Sequence, residues 1–390
     1  SRDAVRALYG GAVTLSASRM DMARSCHFAY FMRYGLKARE RTGAGFDAPQ
    51  IGTFVHDVME HTLRQAKECG GLHTLSKDKL HALVRASIEE YIDRVLPDLC
   101  EKSARFRYLF NRLCATVERI MDEVSEELQS SDFEPLAFEL EFGADGQLPA
   151  ITIREENGTA RVVGKVDRVD GWLHDGKLYL RVVDYKTGKK SFDLAELRYG
   201  LGLQMLLYLF TLKEEGQMLF GGHEIVPAGV LYTPAREPML RCARDTEPEK
   251  IEKALKKELR RSGMVLEDPA VLQAMEHSAL ESPCYLPLAV KRDGAVTGSL
   301  ASAEQLGKLS KYVDHILHEI TQEVFAGNID ADPYARTPQQ SACTYCEFAS
   351  ACHFENGCGS DRMEYIKATK NDEFWKYIDE VNGEGAHENG

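Results

Sequence analysis

Two aspartates and a lysine in the segment GKVDRVDGWLHDGKLYLRVVDYKTG have the spacing of a metal-dependent active site. Asp175-Gly176 between two alternating runs predicts a two-residue hairpin of type I′. Counting outward from that turn places Asp167 directly opposite Asp184, and Lys186 then projects from the same face. Carboxylates that face each other about 5 Å apart repel, so we expect a divalent cation such as Mg²⁺ or Mn²⁺ between them. The lysine can stabilise charge that develops on a phosphate.

The same hairpin should have one buried face and one wetter face. The predicted buried face combines the two aspartates with the apolar residues Val169, Leu173, Leu178, Leu180 and Val182. The other face carries charged residues, namely Arg168, Asp170, Lys177 and Arg181. We expect Asp170 and Arg181 to form a simple cross-strand ion pair in contact with water.

Cysteines are unevenly spread, with four of the ten at Cys343, Cys346, Cys352 and Cys358. The first three have metal-binding spacing, and a fourth ligand is needed; His353 or Cys358 could supply it locally and complete a zinc site. Free thiols are the alternative. The other cysteines show no pattern and are expected to be core or surface thiols: Cys69, Cys100, Cys114, Cys242 and Cys284.

Composition describes an ordinary globular protein of 390 residues, with 44% hydrophobic and 28% charged residues. The net charge of −13 excludes a global basic field for nucleic acid, but it leaves room for a local basic patch. The sequence predicts neither a transmembrane helix nor a secretory signal, and ten cysteines without one favour a reducing, cytoplasmic location. The first residue is Ser1 rather than Met, which is compatible with a piece of a longer chain.

Changes of hydrophobic period indicate an α/β protein. Residues 16–40 are predicted to be helical, and after a loop at 43–52 a long helical region extends to about residue 130. Alternating segments at 136–186 predict strands, followed by helix at 193–215 and a strand at EIVPAGVLYTP. Residues 246–330 are predicted to be mostly helical again.

Several separated motifs resemble one known family. GKVDRVD, VVDYKTGKK and LQMLLYL resemble the core of the PD-(D/E)xK nucleases of the RecB type. Together with LSASRMDMARSCHFAYFMRYGLK, IGTFVHDVMEHTL and CTYCEFASACHF, they make the chain resemble the C-terminal nuclease region of the AddB family from about Leu15 to Phe354. AddB proteins are nuclease subunits of bacterial ATP-dependent exonucleases.

The resemblance implies a restriction-endonuclease-like α/β fold: a mixed central sheet flanked by helices, helical additions, and a [4Fe–4S] staple joining the N- and C-terminal segments. It implies five parts: an N-terminal segment (1–50), a nuclease core (51–240, helical at 51–130 and sheet with helix at 131–240), a helical addition (241–335), a cysteine-rich segment (336–360) and an acidic tail (361–390).

Residue roles also follow from the resemblance. It implies six catalytic residues, namely His56, Asp167, Asp184, Lys186, Gln204 and Tyr208. The histidine and the two aspartates would bind Mg²⁺ or Mn²⁺, and the lysine would be the motif lysine. The glutamine and the tyrosine, one turn apart on a helix, would reach the scissile phosphate. Without the resemblance, His56, Gln204 and Tyr208 would be unremarkable positions on helices.

For the cysteines, the resemblance implies a fourth ligand far away in the sequence. Cys26 would join Cys343, Cys346 and Cys352 to hold a [4Fe–4S] cluster with a structural role. His27 follows Cys26 where the family commonly has proline, which is a departure from the pattern.

The function implied is that of a Mg²⁺-dependent DNA exonuclease domain that hydrolyses single strands during double-strand break repair and recombination. An AddA-like helicase–nuclease partner would produce these strands and form a heterodimer with the chain. Three alternatives remain: an inactive nuclease fold that binds DNA or assembles a complex, a free-standing iron–sulfur exonuclease of the CRISPR-adaptation type, and an iron–sulfur electron carrier.

Three local basic stretches, FMRYGLKARER, KTGKK and KKELRRSG, could contact phosphates. For KKELRRSG we favour a solvated helix face. GWLHDGKL is not a phosphate-binding loop, because Leu178 stands where Ser or Thr should hold Mg²⁺, and the chain is expected to encode no ATPase motor.

Overall fold

The computed structural model describes residues 2–39, 48–144 and 146–383. The end of the basic stretch FMRYGLKARER, residues 43–47 of the loop predicted at 43–52 and the last residues of the acidic tail lie outside these ranges. Residues 48–52, predicted to be in the same loop, are helical instead. The helices are α1 (Arg2–Tyr9), α2 (Ala17–Ser25), α3 (His27–Tyr30), α4 (Ala48–Glu68), α5 (Lys77–Val95), α6 (Ala104–Gln129), α7 (Leu194–Arg198), α8 (Gln204–Glu215), α9 (Pro248–Glu258), α10 (Pro269–Met275), α11 (Ala303–Ala326), α12 (Ala349–Cys352) and α13 (Asn371–Val381). Within the described residues, no helix combines the length and apolar character needed to cross a bilayer.

The strands are β1 (Ala12–Leu15), β2 (Glu134–Phe142), β3 (Ile151–Glu155), β4 (Gly158–Val162), β5 (Gly164–His174), β6 (Lys177–Lys186), β7 (Glu224–Pro234), β8 (Ser262–Leu266), β9 (Leu288–Val290), β10 (Val296–Gly298), β11 (Leu300–Ala301), β12 (Tyr334–Thr337), β13 (Gln340–Ser341) and β14 (Glu364–Tyr365). Six of them form the central sheet in the order β11-β8-β7-β6-β5-β2. The sheet is mixed, because β6 pairs with β7 in parallel whereas β5 pairs with β6 antiparallel. This confirms the predicted fold class of a mixed sheet flanked by helices.

The hairpin between β5 and β6 has the predicted turn. Asp175 and Gly176 both have positive φ, 49° and 77°, as a type I′ turn requires. The pairing runs from His174–Lys177 at the turn to Arg168–Val183, in the predicted register. The two strands therefore carry Asp167 and Asp184 side by side, one position beyond the last regular pair.

Helices cover both faces of the sheet and join its parallel strands. After β6 the chain returns through α7 and α8, and α8 packs against both β6 and β7. Within 241–335, where we expect helices, the structure also has strands. Among them β8 pairs with β7, and β11 pairs with β8, so this segment extends the central sheet. The short apolar run SGMVL gives no sequence period that separates a strand from a buried helix.

Three of the four charged residues on the hairpin face that we predicted to be wetter are buried, whereas Lys177 near the turn is exposed. Arg168, Asp170 and Arg181 are each 0% exposed. Asp170 lies 2.8 Å from Arg168 Nε and 2.9 Å from Arg181 Nε, so the expected ion pair exists but without water. The prediction was wrong because α6 brings Glu127 over this face. Leu173, predicted to be buried, is 54% exposed close to the turn.

Glu127 connects these charges to Arg261, the residue before strand β8. Its Oε2 accepts hydrogen bonds from Arg261 at 2.6 and 3.0 Å, and its Oε1 lies 3.6 Å from Arg181 Nη2. We call Glu127, Arg168, Asp170, Arg181 and Arg261 the buried ionic network. Arg261 belongs to KKELRRSG, which is therefore not simply a solvated helix face. Burial alone would raise the pKa of Glu127, but the neighbouring arginines lower it to about 2.

Replacing Glu127 by glutamine should lower the free energy of unfolding by about 3–5 kcal/mol, because the buried guanidinium of Arg261 would lose its counter-charge. Urea unfolding at pH 7 measures this, with Glu126→Gln on the exposed side of α6 as the control, expected within about 0.5 kcal/mol.

Since the pKa of Glu127 is depressed from 4.5, its stabilisation should be complete above pH 4.5 and disappear as the pH falls towards 2. The Glu127→Gln variant should lose this part of the acid sensitivity. If Glu127→Gln and Glu126→Gln lowered the free energy of unfolding by the same amount at pH 7, the network would have no stabilising role.

Candidate active site

Two carboxylates meet at the end of the β5–β6 hairpin. Asp184 is 3% exposed, and Asp167 accepts a hydrogen bond of 2.8 Å from the backbone N–H of Tyr185. Burial, together with the negative charge of Asp167, raises the pKa of Asp184 to about 6. The two aspartates therefore repel each other in the folded chain, as expected.

Lys186 lies beside Asp184, as its spacing on the strand predicts. Its Nζ is 2.6 Å from Asp184 Oδ2, and its side chain is about one-third exposed. This contact is an ion pair, and Asp184 Oδ2 has no other hydrogen-bond donor among the described residues. The ammonium group of Lys186 thus sits between a buried carboxylate and the solvent.

His56 reaches the same place from α4. Its Nε2 lies 2.9 Å from the backbone carbonyl of Tyr185, and its Nδ1 lies 3.4 Å from Asp167 Oδ2. Burial favours the neutral imidazole, but the contacts with Asp167 outweigh it and raise the pKa of His56 to about 9. The structure therefore brings His56, Asp167, Asp184 and Lys186 together.

Glu139 on β2 is a site residue that the sequence did not reveal. One ligand atom each from His56, Glu139 and Asp167 lie within 4.8 Å of one another, as a metal site requires. Glu139 has a φ of 49°, which is uncommon for a residue other than glycine and is typical of functional sites. In the sequence, the one indication of this role is that a charged residue lies inside the strand LAFELEF. The alternating pattern does not distinguish Glu139 from Glu141, which lies in the same strand.

Gln204 and Tyr208 occupy one face of α8, as predicted. Gln204 Nε2 donates a hydrogen bond of 3.1 Å to the Tyr208 hydroxyl. Burial raises the pKa of Tyr208, and the charges of Asp184 and Asp167 add to this effect, so the phenol lies within electrostatic reach of both carboxylates. A Cβ at Gly164 would approach the Tyr208 ring to 2.5 Å, which explains the glycine that begins GKVD.

The donor set suits a hard divalent cation. The ligand atoms that lie together belong to His56, Glu139 and Asp167, carboxylates and an imidazole of the kind that Mg²⁺ and Mn²⁺ accept. The buried carboxylate of Asp184 is close enough to Asp167 for its pKa to be raised by that charge. A cavity of about 400 Å³ lined by His56 and Glu139 opens next to the donor set and gives access from the solvent. These residues fit a metal ion of the kind that the sequence predicts.

A second group of potential ligands lies at a separate cavity of about 550 Å³. Cys26, Cys343, Cys346 and Cys352 all line it, although Cys26 is far from the others in sequence. His353 also lines this cavity, whereas Cys358 is exposed and does not. Burial raises the pKa of the Cys26 thiol to about 11.

Ion pairs also join the segments that carry these cysteines. His27 Nδ1 lies 2.6 Å from Asp332 Oδ2, and the backbone N–H of His27 donates to the same carboxylate. Arg33 contacts Glu347 at 2.7 Å. His27, which departs from the family pattern, therefore contacts the C-terminal part of the chain directly.

Glu139→Gln should weaken Mn²⁺ binding about tenfold or more, since it removes one anionic oxygen from the site. Glu141→Gln is the matched control, because Glu139 and Glu141 lie on the same strand and both contact Lys165, at 2.6 and 3.4 Å. Calorimetric titration of both variants measures the effect. A Glu139 variant that binds Mn²⁺ as tightly as the Glu141 variant would remove this residue from the site.

Comparison with known proteins agrees with this geometry. Residues 14–353 match the model of the PD-(D/E)XK nuclease superfamily. The chain is 32% identical over 97% of its length to an ATP-dependent helicase/deoxyribonuclease subunit of Ruminiclostridium cellulolyticum, and 33% identical over 97% to the one of the same name in Acetivibrio thermocellus. In each case it covers 33% of the relative, so the chain spans about a third of the length of these curated relatives. The chain belongs to the PD-(D/E)XK nuclease superfamily.

Proposed function

We propose that this chain is a metal-dependent nuclease domain that hydrolyses phosphodiester bonds in single-stranded DNA. One observation carries the proposal: the hairpin, α4 and β2 bring His56, Glu139, Asp167, Asp184 and Lys186 to one solvent-accessible place. Because the chain belongs to a nuclease superfamily, we interpret this arrangement as the catalytic centre of a nuclease. Lys186 and His56 compensate part of the negative charge of the carboxylates, and a divalent cation would compensate the rest.

Mg²⁺ or Mn²⁺ would be held by His56, Asp167 and Asp184, with Glu139 beside them, and would supply Lewis-acid catalysis and an activated water. The residues of the chain would do the rest. Lys186 would stabilise negative charge on the phosphate as the bond breaks. Gln204 and Tyr208 would orient the phosphate through their amide and hydroxyl groups.

We also propose that the domain works beside a helicase that supplies single strands, as in double-strand break repair and recombination. Support comes from the relatives, whose names describe one of the subunits of an ATP-dependent helicase/deoxyribonuclease. An AddA-like protein would be the heterodimer partner. The cytoplasm is the compartment where such a complex would meet DNA.

The four cysteines at the second cavity would hold a [4Fe–4S] cluster. All four cysteines line one cavity, as a cluster held by four thiolates requires, although Cys26 is far from the others in sequence. The cluster would join Cys26 to the C-terminal segment.

Mg²⁺-dependent cleavage of single-stranded DNA tests the proposed activity. Asp184→Asn should reduce the rate about 10²–10³-fold or more, because it removes an anionic ligand of the metal ion that would stabilise charge on the reacting phosphate. Asp175→Asn in the exposed hairpin turn is the control and should cleave like the unmodified chain. Folded chain that binds DNA but does not cleave it would favour the inactive DNA-binding alternative.

Cys343→Ser should abolish iron binding in protein purified without oxygen, and should lower the midpoint of thermal unfolding, because cluster binding contributes to folding. Cys358→Ser is the control, since this cysteine is exposed and lies outside the cavity. Iron content and the visible absorption spectrum measure the outcome. Protein that contains zinc instead of iron, and that loses the zinc in both the Cys343→Ser and the Cys358→Ser variant, would indicate a local zinc site instead.

A further inference from the structure

Lys186 lines a small basic cavity of about 180 Å³, whereas neither Asp167 nor Asp184 does. Three parts of the chain converge there: the loop after β6, the loop after β7, and the segment between α9 and β8. Six cationic side chains line it, namely Lys186, Lys189, Lys190, Arg236, Lys257 and Arg260. Glu258 is the one carboxylate among the lining residues. We call this cavity the basic pocket.

Several of these charges are not neutralised within the protein. Lys189 and Lys257 are exposed and form no ion pair in the part of the chain that the structure describes. Arg260 donates to the backbone carbonyls of Leu288 and Pro283, which fix its guanidinium in place without cancelling its charge. Its Nε is buried and has no acceptor among the described residues. The pocket thus holds a surplus of positive charge at a fixed position.

The cavity next to His56 has no such surplus of positive charge. Its carboxylates Asp57, Glu60 and Glu139 form ion pairs with Arg94, Arg64 and Lys165, at 2.6, 2.8 and 2.6 Å. A polyanion at the active site is therefore attracted more strongly towards the side of Lys186. This difference in charge favours one direction for a strand leading away from the site.

We propose that the basic pocket is a second phosphate site, which binds the phosphodiester next to the scissile one on the same single strand. This inference rests on the proposed function, because it takes the substrate to be a nucleic acid strand. The pocket starts at the motif lysine, so a strand bound there has its scissile phosphate at Lys186. The site would hold the strand by its backbone, independently of base sequence.

The test compares two double variants that remove the same charge. Lys189→Gln/Lys257→Gln empties the pocket of its two unpaired lysines, and Lys250→Gln/Lys253→Gln changes two residues of α9 that do not line the pocket. Affinity for a fluorescent oligothymidylate without terminal phosphates is measured by anisotropy between about 50 and 200 mM salt, without added divalent cation. Such a strand offers internal phosphodiesters alone, so terminal phosphate binding cannot produce the signal.

The slope of log Kd against log salt should fall in magnitude by about 0.7 in the pocket variant, the contribution of one lost phosphate contact on a single strand. The control variant should keep the slope of the unmodified chain. Equal changes in both variants, or no change in the pocket variant, would overturn the proposal. Because binding is measured without cleavage, a chain that binds as expected but never cuts supports the phosphate site and overturns the nuclease proposal alone.

Discussion

Electrostatic repulsion between Asp167 and Asp184 is the constraint on which the site depends. The type I′ turn at Asp175-Gly176 sets the hairpin register, and the register leaves no freedom to separate the two carboxylates. Burial of Asp184 makes the repulsion more costly, as its raised pKa shows. Each neighbouring group compensates part of this charge, from the ammonium of Lys186 to the imidazole of His56, and a divalent cation would complete the compensation.

Tyr185 connects the site to the structure behind the sheet. Its N–H donates to Asp167, its carbonyl faces His56, and its hydroxyl accepts a hydrogen bond of 2.7 Å from Arg168. One residue between Asp184 and Lys186 therefore fixes groups on both faces of the hairpin. The buried ionic network holds that second face rigid, and its arginines cannot move without exposing an unpaired charge. A stiff support is what a metal site with close carboxylates needs.

Short-range patterns made much of this fold predictable. The hairpin register depends on a turn of two residues, and the spacing of Lys186 depends on strand geometry, so both could be deduced locally. Long-range packing could not be deduced from the sequence in this way. Nothing near Arg168 or Arg181 indicates that Glu127 will cover them, and nothing in LAFELEF indicates that Glu139 bends towards Asp167. His56, Gln204 and Tyr208 were identified through family resemblance, because a helix period cannot show which face meets a distant strand.

Crystals of the chain soaked in Mn²⁺ would test the central claim most directly, through the anomalous scattering of the bound metal. The account predicts a Mn²⁺ ion coordinated by His56, Asp167 and Asp184, with Glu139 as a direct or water-mediated neighbour. A site that stays empty at millimolar Mn²⁺, with Asp184 and Lys186 still in contact, would contradict it. The ion pair would then be the whole compensation for the buried carboxylate, and the fold would have kept the geometry of a nuclease without its metal.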